Sequence, residues 1–308
     1  MSLRLALLNG LLRCIAKPRL ARLPEPASAR LDLERAARWL LRRPPFVLAL
    51  DLALAPGLGA SSIRSGRVRD AAAVVLYLHG GAYLAGAPRT HLAMLARLAR
   101  LARVEVIAPD YRLAPEHPFP AALQDALAAW DALLARGHAA GRVVLGGDSA
   151  GGGLALALLA RLCARGTPPA GLFAFSPWTD LTGSGESLRE NAARDPLLTA
   201  ARLPEVARLY LQGHPADDPD ASPLFGAFPG CPPVLLQHSE TEILRDDTLR
   251  MAAKLRAFGA AVTVQGWSHT PHVWQMFDGY IPEARAALED AARAIGAMLA
   301  PARRSISN

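Results

Sequence analysis

The sequence predicts an α/β fold in which a mostly parallel sheet is flanked by helices on both faces. Two observations lead to this prediction. Short apolar runs alternate with longer segments of helical periodicity, and several of the runs end in glycines or polar residues. Continuous apolar strands separated by helices are typical of parallel sheets that are covered on both sides. Such sheets carry their chemistry beyond the carboxyl ends of the strands.

Six apolar runs are predicted as strands: residues 71–81, 104–112, 141–152, 171–178, 233–240 and 261–269. Helices are predicted around them at residues 90–102, 120–136, 151–165, 246–258 and 283–299. Residues 181–222 break this alternation and are predicted to form a helical cap insertion over the active edge. Residues 46–180 and 223–308 then form the sheet-containing domain, and residues 1–45 form an N-terminal helical part of the cap.

The first of the N-terminal helices, residues 3–16, is predicted to be amphipathic. Its apolar side is formed by Leu3, Leu5, Leu8, Leu11, Leu12 and Ile15. Packing on the protein itself is the simpler role for this side, and peripheral contact with a membrane is the alternative. A second helical pattern covers residues 29–42.

Composition and charge narrow the possible partners. The chain has 308 residues and a net charge of +7, but its basic residues are spread along the sequence without interleaved aromatics. We therefore expect no nucleic-acid partner. Its three cysteines are odd in number and far apart, which predicts neither a disulfide framework nor a metal site and fits a cytoplasmic location. No apolar segment approaches the length of a membrane span, so we expect no integral membrane association.

The segment from Gly147 to Gly151 fits the pattern G-x-S-x-G, with the apolar run VVLG before it and LALALLARL after it. This strand–turn–helix context is the one that a nucleophilic serine on a sharp turn requires, and it marks Ser149. The alternatives are a glycine-rich turn with an incidental serine and a phosphate-binding loop. The lysine of a P-loop is absent.

A second glycine turn, HGGAY, begins at His79 after another predicted strand. A serine nucleophile needs backbone N–H groups that face the developing oxyanion. We predict an oxyanion hole at Gly80, Gly81, Ala82 and Ala150. The amides of Gly81, Ala82 and Ala150 are the expected donors, and Gly80 gives the backbone room. His79 is interpreted as a structural histidine.

The general base is expected to follow the last strand. His272 in PHVWQMF is the main candidate, His269 is its rival, and His238 lies before the acid region. The base needs a carboxylate to fix its tautomer. Spacing alone leaves four candidates for that carboxylate open: Glu240, Glu242, Asp246 and Asp247.

Taken together, HGGAY, PDYRLAPEHPFPAALQDA, GDSAGG, ILRDD and PHVWQMF resemble the hormone-sensitive-lipase-type carboxylesterases (bacterial family IV) of the α/β-hydrolase fold. The resemblance implies that Ser149 is the nucleophile, His272 the base and Glu242 the acid. Asp246 remains the second candidate for the acid, because aspartate is commoner than glutamate in that segment of the family. Ala82 stands where the family usually has a third glycine.

The resemblance also implies a function. It predicts a serine carboxylesterase for short to medium acyl esters that needs no cofactor or metal, with Tyr83 and Trp178 lining the substrate pocket. The first residues resemble monoterpene lactone hydrolases of the same family, so a lactone is an alternative substrate. An amide or acetyl hydrolase is a second alternative. A small-ligand receptor without catalysis is disfavoured because a complete set of triad residues is present. A homodimer through the last strand and helix is a further implication.

Overall fold

The computed structural model describes residues 1–22 and 25–300 of the chain. It contains an eight-stranded sheet with the order β1-β2-β4-β3-β5-β6-β7-β8. The strands are β1 (Val47–Ala55), β2 (Leu58–Ser65), β3 (Val74–Leu78), β4 (Glu105–Pro109), β5 (Val143–Asp148), β6 (Gly171–Phe175), β7 (Val234–Ser239) and β8 (Val262–Trp267). β2 is antiparallel to both of its neighbours, β1 and β4. The remaining strands, in the order β4-β3-β5-β6-β7-β8, are all parallel to one another. The predicted mostly parallel sheet is confirmed.

The helices are α1 (Leu3–Leu11), α2 (Lys17–Arg22), α3 (Pro26–Leu40), α4 (Pro88–Ala102), α5 (Ala121–Ala135), α6 (Ser149–Ala164), α7 (Ser187–Glu190), α8 (Leu203–Leu211), α9 (Arg245–Ala257) and α10 (Pro282–Met298). A π turn, Leu12–Ala16, joins α1 to α2. Every helix that the periodicity predicts is present, with its ends shifted by a few residues. No described helix combines the length and the apolar character that crossing a membrane requires.

The sheet is buried between two layers of helices. Along β3, Val74, Leu76 and Leu78 belong to one core cluster, which also contains apolar residues of α5, α6 and α9. Val75 and Tyr77, which alternate with them, belong to the cluster formed with α4 and α10. Because successive side chains of a strand point to opposite faces, an apolar residue is needed at every position. This explains the continuous apolar runs of the sequence.

The hairpin of β1 and β2 has no counterpart in the predicted elements. Its first strand reads VLALDLALA, which is rich in the helix formers leucine and alanine. Its leucines nevertheless recur at every second position from Leu48 to Leu54, which is the period of a strand. Leu54 is buried and Leu48 is half exposed, as expected for a strand at the edge of the sheet.

Two segments that are distant in sequence meet beside the carboxyl edge of the sheet. Arg13, in the N-terminal helical segment, donates to the carbonyl oxygen of Arg194 at 2.6 Å. Lys17 donates to the carbonyl oxygens of Ala192 and Asp195 at 2.9 and 2.7 Å. Residues 1–22 and the segment that follows α7 are therefore joined by hydrogen bonds to backbone carbonyls. That both segments belong to one cap remains a prediction.

Candidate active site

Ser149 lies at the junction between β5 and α6. β5 ends at Asp148 and α6 begins at Ser149, whose φ of +53° lies in the left-handed region. The turn is tight, since a Cβ on Gly147 would lie 2.3 Å from the carbonyl oxygen of Gly151. A Cβ on Gly151 would lie 2.2 Å from the carbonyl oxygen of His79. Glycine is therefore required on both sides of Ser149, which explains the pattern G-x-S-x-G in physical terms.

His272 lies in the loop after β8 and contacts Ser149. Its Nε2 is 2.9 Å from the Oγ of Ser149, and its Nδ1 is 2.6 Å from Oε2 of Glu242. The Glu242 side chain is fully buried and that of His272 is nearly so. The three side chains thus form a continuous hydrogen-bonded chain from a partly exposed hydroxyl to a buried carboxylate.

Glu242 reaches the imidazole because the chain turns sharply after β7. Its Oε1 accepts a hydrogen bond from the amide of Ser239 at 2.9 Å, so the carboxylate folds back over the end of the strand. Asp246 instead accepts from the amide of Ser187 at 2.8 Å. Asp247 accepts from the amides of Thr179 and Asp180, and the side chain of Glu240 is half exposed. Among the four acid candidates, the structure brings Glu242 to His272.

The environment of His272 makes it a stronger base than an ordinary histidine. Burial alone would lower its pKa, but the hydrogen bond and the negative charge of Glu242 outweigh burial and raise the pKa above 6.5. Asp195 adds to this effect through its charge. Asp195 is buried, and it accepts the amide hydrogens of Leu197, Leu198 and Ile243 at 2.8 to 2.9 Å. The sequence analysis did not identify Asp195, because a single aspartate in the segment DPLLT gives no sign of a distant partner.

The glycine turn after β3 lies against the nucleophile turn. The amide of Gly80 donates to Oδ1 of Asp148 at 3.0 Å, and a Cβ on Gly80 would lie 2.2 Å from Oδ2 of the same residue. The amides of Gly81, Ala82 and Ala150 have no acceptor among the groups that the structure describes. Both Gly81 and Ala82 have positive φ values, +126° and +58°, and both are partly exposed. These three amides thus have no internal acceptor within the described residues, and their role in an oxyanion hole remains a prediction.

Comparisons with known proteins agree with this geometry. Residues 75–276 match the family described as the α/β hydrolase fold. An acetyl-hydrolase of Streptomyces hygroscopicus is 42% identical over 216 residues, which cover 70% of this chain and 72% of that one. An esterase of Acinetobacter venetianus is 37% identical over 227 residues, or 72% of this chain and 74% of that one. An esterase crystal structure from the bacterial hormone-sensitive lipase family has a TM-score of 0.91 at 37% identity, covering 97% of this chain and 99% of that one.

The chain belongs to the hormone-sensitive-lipase-type family of α/β-hydrolases. In this α/β-hydrolase, Asp148 joins two elements of the candidate site. Its carboxylate accepts hydrogen bonds from the amide of Gly80 and from the hydroxyl of Tyr77, the latter at 2.7 Å. It also contacts Nε2 of His91 at 3.3 Å. Burial opposes the charged form of Asp148, but the charge of His91 and the hydrogen bonds to the carboxylate together outweigh burial, and the pKa of Asp148 is lowered. Burial likewise opposes the charged form of His91, but the charge of Asp148 raises the pKa of His91. His91 was not identified from the sequence, because a histidine within an apolar helix pattern gives no sign of a distant partner.

No other histidine of the described residues forms a hydrogen bond with the side chain of Ser149. His79 is buried and stacks on Tyr111 with ring centroids 4.2 Å apart, and burial lowers its pKa to about 3. It is therefore a neutral residue that packs the glycine turn. His269 is exposed, and its carbonyl oxygen accepts a hydrogen bond from Asn9 at 2.7 Å.

The two residues predicted to bind substrate lie in the core of the hydrolase. Tyr83 and Trp178 are only 2% and 3% exposed. Tyr83 stacks on Tyr210 of α8 with ring centroids 3.8 Å apart, which connects the glycine turn to the predicted cap insertion. The backbone amide of Trp178 donates to the carbonyl oxygen of Ser149 at 2.9 Å. Both aromatic residues thus adjoin the site, and contact with substrate remains a prediction for both.

Proposed function

We propose that this α/β-hydrolase is a serine carboxylesterase that cleaves short to medium acyl esters through an acyl-enzyme on Ser149. The observation that carries the proposal is the continuous hydrogen-bonded chain from Ser149 through His272 to Glu242. Relatives named acetyl-hydrolase and esterase support ester hydrolysis as the reaction class.

The first half of the reaction transfers the acyl group to the enzyme. His272 Nε2 accepts the proton of the Ser149 hydroxyl, and the oxygen attacks the ester carbonyl carbon. Glu242 holds the other nitrogen of the imidazole, which keeps Nε2 free as the acceptor and stabilises the imidazolium that forms. The carbonyl oxygen becomes negative and accepts the amide hydrogens of Gly81, Ala82 and Ala150. The imidazolium then protonates the leaving alcohol as the C–O bond breaks.

The second half of the reaction releases the acid. Water enters in place of the alcohol, and His272 removes one of its protons as the water oxygen attacks the acyl carbon. The same three amides stabilise the second tetrahedral intermediate. Its collapse returns the proton to the oxygen of Ser149, which restores the enzyme without any cofactor.

The preference for short to medium acyl chains is supported by the aromatic residues beside the site. The stacked pair of Tyr83 and Tyr210 lies between the glycine turn and α8, and Trp178 lies 6.4 Å from Tyr83 by ring centroids. Close packing of this kind favours a small apolar acyl pocket. A relative named acetyl-hydrolase is consistent with the short end of the range.

Hydrolysis of p-nitrophenyl esters of graded acyl length, with a lactone as a comparison substrate, tests the proposal. Ser149→Ala is expected to lower kcat by about 10⁴-fold or more on every ester. Ser28→Ala, an exposed serine in α3, is the matched control and should retain full activity. Equal inactivity of the wild-type protein and Ser149→Ala on every ester would refute the esterase assignment. A kcat/KM that keeps rising through the longest chains would refute only the acyl-length preference.

The predicted homodimer is kept as a separate proposal. β8 is the last strand of the sheet and pairs on one side only, with β7, within the described chain. An edge strand with free backbone groups can pair with a second copy of itself. The molar mass measured by light scattering distinguishes a dimer from a monomer.

A further inference from the structure

The N-terminal helical segment, residues 1–22, has an outer face of apolar side chains. Leu3, Leu7, Leu11 and Ile15 recur at intervals of four residues and are 78%, 63%, 59% and 55% exposed. Residues spaced by four lie on the same face of a helix. A continuous apolar stripe of this kind is rare on the surface of a monomeric protein and usually marks an interaction site. We refer to these four residues as the outer stripe.

The opposite face of the same segment is attached to the protein. Leu5 is fully buried in a cluster with Trp274 and Ile281, and Leu8 packs against that cluster. Arg13 and Lys17 donate hydrogen bonds to backbone carbonyls of the predicted cap insertion. Since the inner face already supplies the packing of this segment, the exposure of the outer stripe is not a consequence of a loosely attached helix.

The charge of this segment has a single sign. Residues 1–22 contain five basic residues and no acidic ones; the basic residues are Arg4, Arg13, Lys17, Arg19 and Arg22. None of the five takes part in an ion pair within residues 1–22 and 25–300. Arg4 and Arg19 are exposed near the two ends of the outer stripe. An apolar stripe flanked by cations is the pattern of a helix that lies in the interface of an anionic lipid bilayer.

We propose that residues 1–22 bind peripherally to an anionic lipid surface, with the outer stripe inserted among the acyl chains and the exposed Arg4, Arg19 and Arg22 at the headgroups. A second copy of this chain fits the same face less well. In a symmetric dimer the stripe would face its own image, which would bring two sets of five cations together.

The position of the segment gives this contact a consequence for catalysis, and this step rests on the proposed function. Asn9 donates to the carbonyl oxygen of His269, three residues before His272. A lipid surface bound to the outer stripe therefore lies on the side of the protein that carries the base loop. Apolar esters that concentrate in a lipid layer would be held near Ser149.

Vesicle flotation of the full chain tests the proposal independently of activity. The vesicles are made of phosphatidylcholine alone or of phosphatidylcholine mixed with the anionic phosphatidylglycerol. We expect the anionic vesicles to bind at least about tenfold more tightly. The double variant Leu7→Asn, Leu11→Asn should lose about tenfold or more of this binding, because it replaces two leucines that the proposal inserts among the acyl chains. Leu249→Asn, an exposed leucine of α9, is the matched control and should bind as the wild type does.

A second pair of substitutions tests the charge. Arg4→Gln with Arg19→Gln should remove most of the difference between anionic and neutral vesicles while sparing the stripe. The circular dichroism spectra and urea unfolding midpoints of all of these variants should match those of the wild type, which shows that they are folded.

Three results would overturn the proposal. The first is the absence of binding to anionic vesicles, and the second is unchanged binding by the double leucine variant. The third is a dimer in solution that the double leucine variant converts to a monomer, which would make a second copy the occupant of this face. None of these results depends on whether Ser149 cleaves esters.

Discussion

The carboxylate of Asp148 accepts the amide hydrogen of Gly80 at 3.0 Å, across 68 residues of sequence. Asp148 precedes the candidate nucleophile, and Gly80 precedes two of the amides proposed to stabilise the oxyanion. One hydrogen bond therefore sets the position of the glycine turn relative to Ser149. It also occupies the amide of Gly80, which leaves Gly81 and Ala82 as the proposed oxyanion donors of this turn.

Gly80→Ala should disrupt this arrangement. The new Cβ would lie 2.2 Å from Oδ2 of Asp148 and 2.9 Å from its carbonyl oxygen, so the turn must move. We expect kcat/KM to fall by about 10- to 100-fold as the oxyanion donors shift, and the free energy of unfolding to fall by about 1–3 kcal/mol. Steady-state kinetics and urea denaturation measure the two effects. Gly141→Ala, where a Cβ meets nothing within 4 Å, is the control. Wild-type kinetics for Gly80→Ala would contradict the assigned role of the turn.

Glu242→Gln should be far more harmful than Asp246→Asn. A glutamine presents an amide to Nδ1 and favours the wrong tautomer of His272, and a comparable change in another serine hydrolase costs about 10⁴-fold in kcat. Asp246→Asn alters a carboxylate that binds the amide of Ser187 and should change kcat by less than about tenfold. The kcat values of both variants, measured on one ester, distinguish Glu242 from Asp246 as the triad acid. The reverse order of effects would make Asp246 the triad acid.

The pH profile of kcat/KM should have an acid limb with its midpoint above pH 6.5. Only neutral His272 can accept the serine proton, and the pKa of His272 is raised by Glu242 against the effect of burial. Activity is therefore lost as the pH falls through this raised pKa. In Glu242→Gln the negative charge is gone, so the residual activity should persist to lower pH. A limb that stays in place in this variant would mean that another group controls it.

Asp195→Asn tests a positioning role for this buried carboxylate. Asp195 holds the amide of Ile243, next to Glu242, and its charge contributes to the raised pKa of His272. We expect a lower kcat with little change in KM, and an acid limb that moves to lower pH by less than in Glu242→Gln. Asp131→Asn, whose side chain is 59% exposed, is the control. A fall in stability with an unchanged pH profile would indicate a purely structural residue.

The parallel part of the fold could be predicted because each buried strand must be apolar on both faces and each helix must repeat its apolar residues. The hairpin of β1 and β2 was missed because leucine and alanine also favour helices, so propensity masked an alternating pattern. The prediction of the family from the sequence motifs is confirmed by the matching family and structures.

The acid of the candidate triad could not be chosen from spacing. Glu242 and Asp246 are four residues apart, and the turn after β7 decides which of them faces His272. That turn depends on the contact between Glu242 and the amide of Ser239, which leaves no pattern in the sequence. The pairs Asp148–His91 and Asn9–His269 are likewise products of tertiary packing between segments far apart in the chain.

The hydrogen bonds of Arg13 and Lys17 to the carbonyls of residues 192–195 bear on how this enzyme could be recombined with its relatives. The match to the family begins at residue 75, yet these bonds originate before residue 23. A chimaera that exchanges the predicted cap insertion alone would keep these hydrogen bonds only where the new backbone brings its carbonyls to the same positions. We therefore propose that the N-terminal segment and the insertion are exchanged together as one module, although Lys17 and Ala192 lie 175 positions apart in the sequence.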